Sequence, residues 1–451
     1  MANTPEFRLA EVLGALSYAL DLAEGQAAGH ALRSCLIGME LAARAGLDAD
    51  QRSALYYALL LKDIGCSSNA SRTAVLLGAD DQDAKRAHKL TDWTRRPERF
   101  RWAAAVVGRD DPPRERARRL AGLARGKDIN RDLTRMRCER GAQIAEELGF
   151  PPATATAIYA LDEHWDGTGH PGGRRGMDIP LLARIACLAQ TMEVFTAVRG
   201  PSAGIAVGRR RRGRWFDPAL VDLLDVAVLR ALPDEHADLV QAVNAYEPHD
   251  RVLVADESRV SRIAHAFAEV IDAKSPSTGG HSHRVAALAD AIGERLGRAP
   301  DRSLVRAALL HDIGKLALSS RILDKSGPLT EREWIEVRSH PAHTEALLNL
   351  VPPLRPIAAT AAMHHERLDG SGYPRGLLGD ELPPDARLLA VADVYEALTA
   401  RRSYRAPVTS DAAVAVLRDE ARAGRLDDEC VEALAAFVGE PGRDHGAPTV
   451  A

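Results

Sequence analysis

The sequence predicts an all-α protein built as two tandem helical bundles. Three observations carry that expectation. Ala, Leu, Arg and Glu dominate, aromatic residues make up only 4%, and runs of alternating Val, Ile and Thr are scarce, so helix is favoured over sheet nearly everywhere. Apolar residues recur at spacings of three and four, the stripe of an amphipathic helix. A chain of 451 residues, 46% of them hydrophobic, exceeds what one core normally spans, and it repeats itself once.

The first stripe, Leu9, Val12, Leu13, Leu16, Ala19 and Leu20, returns 251 residues later as Val260, Ile263, Ala264, Phe267, Val270 and Ile271. The same shift lays Gly29-His30 and Arg33 on Gly280-His281 and Arg284. An apolar helix ending Lys62-Asp63-Ile64-Gly65 follows, matched at an offset of 249 by His311-Asp312-Ile313-Gly314. In the second copy the run Leu304 to Leu310 delivers His311 and Asp312 at its end, where Gly314 breaks the pattern. Later elements match at an offset of 203, with DGTGHP (Asp166 to Pro171) on DGSGYP (Asp369 to Pro374) and the helix ending at Gln190 on the one ending at Asp393. The drop in offset makes the first copy 46 residues longer, an insertion placed within about Arg72 to Arg131. This is a duplication of one long unit, not a solenoid of short ones. The expected organisation is a first domain over 1–233, a linker over 234–255, a second domain over 256–440 and a disordered tail over 441–451.

Charge excludes some partners. A formal net charge of -4, from 59 basic and 63 acidic residues, gives no general drive toward nucleic-acid polymers or anionic membranes. The basic run Gly208 to Arg214 (GRRRRGR) lacks the interleaved aromatic residues of a nucleic-acid site; such runs are usually solvated loops, and a partner or anionic-ligand site is the alternative. Glu6, Arg8 and Glu11 interrupt the N-terminus where a secretory signal needs an apolar core, and no segment has the roughly 18 uninterrupted apolar residues of a membrane span. Five scattered cysteines (Cys35, Cys66, Cys138, Cys187, Cys430) suit a reducing compartment. A cytoplasmic protein is expected.

Chemistry concentrates in the second copy. His281 to His365 holds seven of the fifteen histidines, where even spread would give about three. Imidazole with carboxylate, and no clustered thiolates, is the ligand set of a hydrolytic metal centre rather than of a structural zinc knot. His281, His311, Asp312, His340, His364, His365 and Asp393 are the candidate ligands, whereas His283 and His343 fall outside the pattern. Asp312 has two oxygens with which to bridge two cations, and such pairs suit phosphoester hydrolysis. Lys315 can donate to a non-bridging phosphate oxygen. The first copy has Lys62, Arg137, Leu161, Asp162 and Gln190 where the second has His311, His340, His364, His365 and Asp393. Side-chain cations offer no lone pair to a metal, so the first copy is expected to bind none.

The motifs HDIGK, a following HP, HHE and DGSGYP together resemble the HD-GYP phosphohydrolases of the HD superfamily, over roughly Ser258 to Val438. The resemblance implies two tandem HD-domain helical bundles, the first degenerate and regulatory or dimerising. It also implies hydrolysis of the bacterial second messenger cyclic di-GMP to the linear dinucleotide or the mononucleotide. Two divalent metal ions are implied, Fe or Mn ahead of Zn, Ni or Mg, because Ser277 stands where some members carry a glutamate for a third. The family's ligands map onto the seven residues above, with Asp312 and Lys315 catalytic. Lys315, Gly372, Tyr373 and Arg402 would contact substrate, Arg402 within a segment that reads Arg-Arg-Ser-Tyr-Arg instead of the family's D-R-P-Y-R. A homodimer and signalling partner proteins are compatible with this reading. A cyclic GMP-AMP hybrid or a phosphomonoester is the alternative substrate. A non-hydrolysing signalling module is the rival class and would be marked by missing ligands; none is missing in the second copy.

Overall fold

The computed structural model describes residues 7–125, 129–275, 278–401 and 407–440. It is all-α. Among the described residues the one sheet is a two-stranded antiparallel pair, Phe7–Arg8 with Val254–Ala255. The chain divides into two compact units, the first running to Asp256 and also taking in Ser319–Arg321, the second comprising the rest from Glu257.

In the first unit the helices Leu9–Ala23, His30–Arg44, Ala49–Leu61, Pro152–Ala160 and Leu181–Arg199 pack together. They bury Leu13, Leu16, Leu32, Leu59, Leu60, Ile185 and Leu188 almost completely. Leu181–Arg199 alone is long and apolar enough to cross a membrane by length and composition among the described residues, and it is mostly buried inside the unit. The inserted residues form the helices Asp81–Leu90, Arg96–Val106 and Pro113–Arg125, with a small core of their own around Leu77, Ala84, Trp102 and Val107. Trp93 and Trp102 meet edge to face at 4.9 Å within it.

The second unit repeats the arrangement with Glu257–Asp272, His281–Arg295, Arg302–Leu310, Ala358–Ala362 and Pro384–Thr399, and closes with Ser410–Arg422 and Asp428–Val438. Local signals set these boundaries. The Asp301 carboxylate accepts from the Ser303 N–H at 2.8 Å and starts the helix that delivers His311. Thr330 and Glu333 form a capping box that starts Glu331–Arg338, the helix ahead of His340.

Two expectations require correction. Residues 234–255 are not a free linker: the helix His236–Tyr246 buries Leu239 and Val243 against Leu9–Ala23 and His30–Arg44. Glu247 just beyond it accepts from the Tyr57 hydroxyl at 2.5 Å. The short apolar stripe anchors the segment, and the division falls at Asp256. The basic run is likewise not simply solvated, for Arg211 is fully buried with its guanidinium 3.8 Å from the Trp215 ring centre, and Arg214 pairs with Asp92 at 2.8 Å. Arg209 and Arg210 do face outward. The expected tail, 441–451, lies outside the described residues.

If 234–255 belongs to the first unit, Leu239→Ala opens a cavity there and lowers unfolding free energy by about 2–4 kcal/mol in chemical denaturation. A change near zero is the outcome for a solvated linker.

Candidate metal centre

Helix ends converge on one place. Arg302–Leu310 stops at Leu310, so His311 and Asp312 leave its terminus and turn toward a common point. The turn lies flush against the start of His340–Leu350, because a Cβ on Gly314 would overlap the His340 carbonyl. Thr344 Oγ fastens the contact, accepting from the Gly314 N–H at 3.1 Å and donating to the His311 carbonyl at 2.8 Å. Gly65 meets the Arg137 carbonyl in the same way in the first unit. This glycine is therefore a requirement of the shared scaffold, independent of the ligands.

The structure brings all seven candidate ligands together. Asp312 stands at the centre: its Oδ2 lies 3.4 Å from His281 Nε2 and 3.3 Å from His311 Nε2, and its Oδ1 lies 3.2 Å from His340 Nε2 and 3.6 Å from His364 Nε2. Asp393 Oδ1 is 3.5 Å from His281 Nε2, and its Oδ2 is 3.6 Å from His365 Nδ1. Two donor groups result, His281–His311–Asp393 and His340–His364–His365, with one Asp312 oxygen toward each.

The outer nitrogens fix the inner ones. His311, His340 and His364 each direct Nδ1 at 2.6 Å to the carbonyl three residues earlier, on Ala308, Val337 and Ala361. His281 Nδ1 lies 2.5 Å from Glu396 Oε2. A neutral imidazole that donates from Nδ1 presents a bare lone pair at Nε2. Yet His281 and His311 face each other Nε2 to Nε2 at 3.2 Å, and His340 and His364 at 3.1 Å. Lone pairs so close repel unless a cation lies among them. Asp312 Oδ1, buried and without a hydrogen-bond partner, makes the same demand. The donor set fits divalent metal.

Electrostatics agrees. Burial alone would lower the His281 imidazole, but Asp312 and Glu396 outweigh it and push it up to about 10. A proton or a cation answers the same negative field. Burial raises the Asp312 carboxyl, and His311 and Lys315 more than reverse that, holding it well below the usual carboxylate range. Burial with neighbouring imidazoles pushes His364 and His365 well down, into the neutral form a metal ligand needs.

The remaining predicted residues divide. Lys315 Nζ reaches Asp312 Oδ2 at 2.5 Å from a tight turn. Tyr373 stands beside the site, its ring 4.8 Å from that of His365. Gly370 has a positive φ, +77°, whereas Gly372 does not; a Cβ there would collide with the Glu366 and Arg367 backbone. Gly372 thus serves close packing of the loop beside the site. Arg402 and Ser277 lie outside the described residues. His283 is paired with His265 away from the cluster, and His343 is exposed.

Supporting residues were missed. Glu396 orients His281 and is itself held by Arg284 at 2.5 Å. Glu366 shapes the loop by accepting from the Arg375 and Leu377 N–H groups at 2.7 and 3.1 Å. Both could have been found from the repeat, since Glu193 and Glu163 occupy the same offset and make the same contacts with His30, Gly172 and Arg174.

The first unit keeps this frame and fills it with its own cations. Lys62 Nζ pairs with Asp63. Lys85 and Lys89, on the inserted helix Asp81–Leu90, reach the two Glu24 oxygens at 2.9 and 3.4 Å, and Lys89 also lies 3.3 Å from Asp63. Arg137 pairs with Asp162. Burial would raise Glu24, yet Lys85 and Lys89 hold it at about 2. Glu24, Asp63 and Cys66 do approach one another closely enough for a metal, but ammonium groups already sit on both carboxylates.

Comparison with known proteins follows the same division. The HD domain family model matches residues 105–220 and 265–430. The chain is 41% identical to the 3′3′-cGAMP-specific phosphodiesterase 3 of Vibrio cholerae serotype O1, over 95% of this chain and 94% of that protein. It is 38% identical to the cyclic di-GMP phosphodiesterase response regulator RpfG of Xanthomonas campestris, over 44% of this chain and 50% of that one. The crystal structure of a cyclic GMP-AMP specific phosphodiesterase of V. cholerae, V-cGAP3, superposes with a TM-score of 0.64 at 35% identity, covering 96% of this chain and 98% of that chain.

Because Glu396 orients a ligand without being one, Glu396→Gln is expected to leave the fold intact and weaken metal retention about 10- to 100-fold. Competition against a graded chelator measures it, and unchanged retention would remove Glu396 from the site.

Proposed function

The chain belongs to the HD-GYP branch of the HD-domain family, and from that premise we propose that its second unit is a metal-dependent phosphodiesterase for 3′3′-cyclic GMP-AMP. Cyclic dinucleotide hydrolysis is the activity its relatives share. The finer choice rests on one observation: similarity to the cyclic GMP-AMP phosphodiesterase runs through both units, over 95% of the chain. Similarity to RpfG covers 44%. The substrate reading therefore moves from cyclic di-GMP, expected from motifs alone, to the hybrid dinucleotide.

In this reading His281, His311 and Asp393 would hold one cation and His340, His364 and His365 another, with an Asp312 oxygen toward each group. When bound, the pair supplies Lewis acidity toward the phosphodiester and a nucleophile ionised near neutral pH. The chain's own residues do the rest. Backbone carbonyls and Glu396 hold the imidazole rings in one tautomer and direction, so little reorganises during reaction. Lys315, partly exposed beside Asp312, donates to a non-bridging phosphoryl oxygen and offsets charge that grows there. Tyr373 offers a ring face and a hydroxyl at the mouth. Water adds to phosphorus, the ester bond to the ribose oxygen breaks, and that oxygen takes a proton, leaving a linear dinucleotide.

The first unit, with its acids answered by lysine and arginine, is assigned a regulatory or dimerising role. Five free, buried cysteines suit the cytoplasm, where we place the protein.

Purified full-length chain loaded with Mn or Fe is expected to linearise 3′3′-cyclic GMP-AMP faster than cyclic di-GMP. His311→Ala or Asp312→Ala should each cost at least about a hundredfold in kcat. Preference for cyclic di-GMP would overturn the substrate assignment, and metal-loaded protein with no turnover of either would overturn the enzyme reading.

A further inference from the structure

Beside the metal cluster stands an arginine that the catalytic account does not use. Arg338 ends the helix Glu331–Arg338, one residue short of the turn into His340. Its guanidinium lies 5.5 Å from the Tyr373 ring centre and 5.7 Å from that of Trp334, held between two aromatic faces. Several other arginines of this unit have carboxylate partners: Arg284 has Glu396, Arg375 has Glu345 and Arg387 has Asp427. Arg338 has none among the described residues, so its donors remain open to a ligand. Trp334 is 47% exposed and Ile335 is 67% exposed, a cost in apolar surface that a stacking partner would relieve.

The setting is not a general feature of the fold. At an offset of 203 the first unit retains an arginine, Arg135, but has Arg131 and His170 in place of Trp334 and Tyr373. The aromatic walls occur only in the unit that has the full ligand set.

We propose that Arg338, walled by Trp334 and Tyr373, reads the guanine base of the bound cyclic dinucleotide. The inference rests on the phosphodiesterase reading above, which puts the phosphodiester at the cluster and a base close by. A guanidinium fork matches guanine O6 and N7, two adjacent acceptors; adenine presents a donor at the corresponding edge and cannot accept both bonds. Trp334 supplies a sequence-tolerant stacking face. Arg338 is thereby a specificity residue, distinct from the groups that handle the phosphate.

The test compares 3′3′-cyclic GMP-AMP, cyclic di-GMP and cyclic di-AMP on the full chain. Initial rates give kcat and KM, and calorimetry on the metal-loaded chain with non-hydrolysable phosphorothioate analogues of the three gives Kd without turnover. Arg338→Ala is expected to raise KM and Kd about tenfold or more for the two guanine-containing nucleotides, with kcat and the affinity for cyclic di-AMP little changed. Arg338→Lys should fail to restore the difference, because a single ammonium keeps the charge but not the fork. Thermal unfolding should not move for either exposed-residue variant. Equal weakening for all three nucleotides, or full recovery with lysine, would make Arg338 a phosphate contact and overturn the proposal, as would no change at all. Absence of turnover in the unaltered chain would defeat the functional reading alone, since the binding comparison is read separately.

Discussion

The structure depends on how a buried, inward-facing ring of acceptors is neutralised. Asp312 turns one oxygen toward His281 and His311 and the other toward His340 and His364. Backbone carbonyls occupy the outer nitrogens of His311, His340 and His364, which leaves their inner nitrogens with lone pairs. Such a cluster is stable only around positive charge. Everything nearby serves that condition: helices end where ligands must leave them, Gly314 admits a close backbone approach, and Glu396 orients His281.

The duplicated unit meets the same condition by different means. It retains the frame, including Gly65, Glu163, Glu193 and the His30 to Glu193 contact. Where the second unit has imidazoles, it has Lys62 and Arg137, and its insertion contributes Lys85 and Lys89. Breaking such buried pairs is costly, on the order of 3–5 kcal/mol each. This gives a physical reason for a helical insertion at that point: it brings ammonium groups to acids that would otherwise be buried and unanswered.

Much of this was legible in the sequence because ligand chemistry is a matter of residue identity. The seven candidate ligands could be read from clustered imidazole and carboxylate, and the all-α fold from stripes at spacings of three and four. Supporting residues were harder. A lone glutamate within a helix, such as Glu396, looks like surface charge until its partner ring is placed. His236–Tyr246 reads as a linker in sequence because two buried anchors, Leu239 and Val243, make a weak stripe. Arg211 looked solvated because nothing in a basic run announces that Trp215 will cover it. Nothing in the motif announces that Gly372 makes room for the Glu366 backbone. In each instance the deciding contact is made by residues distant in the chain.

The central claim is that cations gather only in the second unit, shared by Asp312. Crystals of metal-loaded protein, recorded at the absorption edge of the bound metal, test it through an anomalous difference map. The account predicts two peaks per chain, one toward each Asp312 oxygen, and none beside Asp63. A peak among Glu24, Asp63 and Cys66, or none at Asp312, would contradict it.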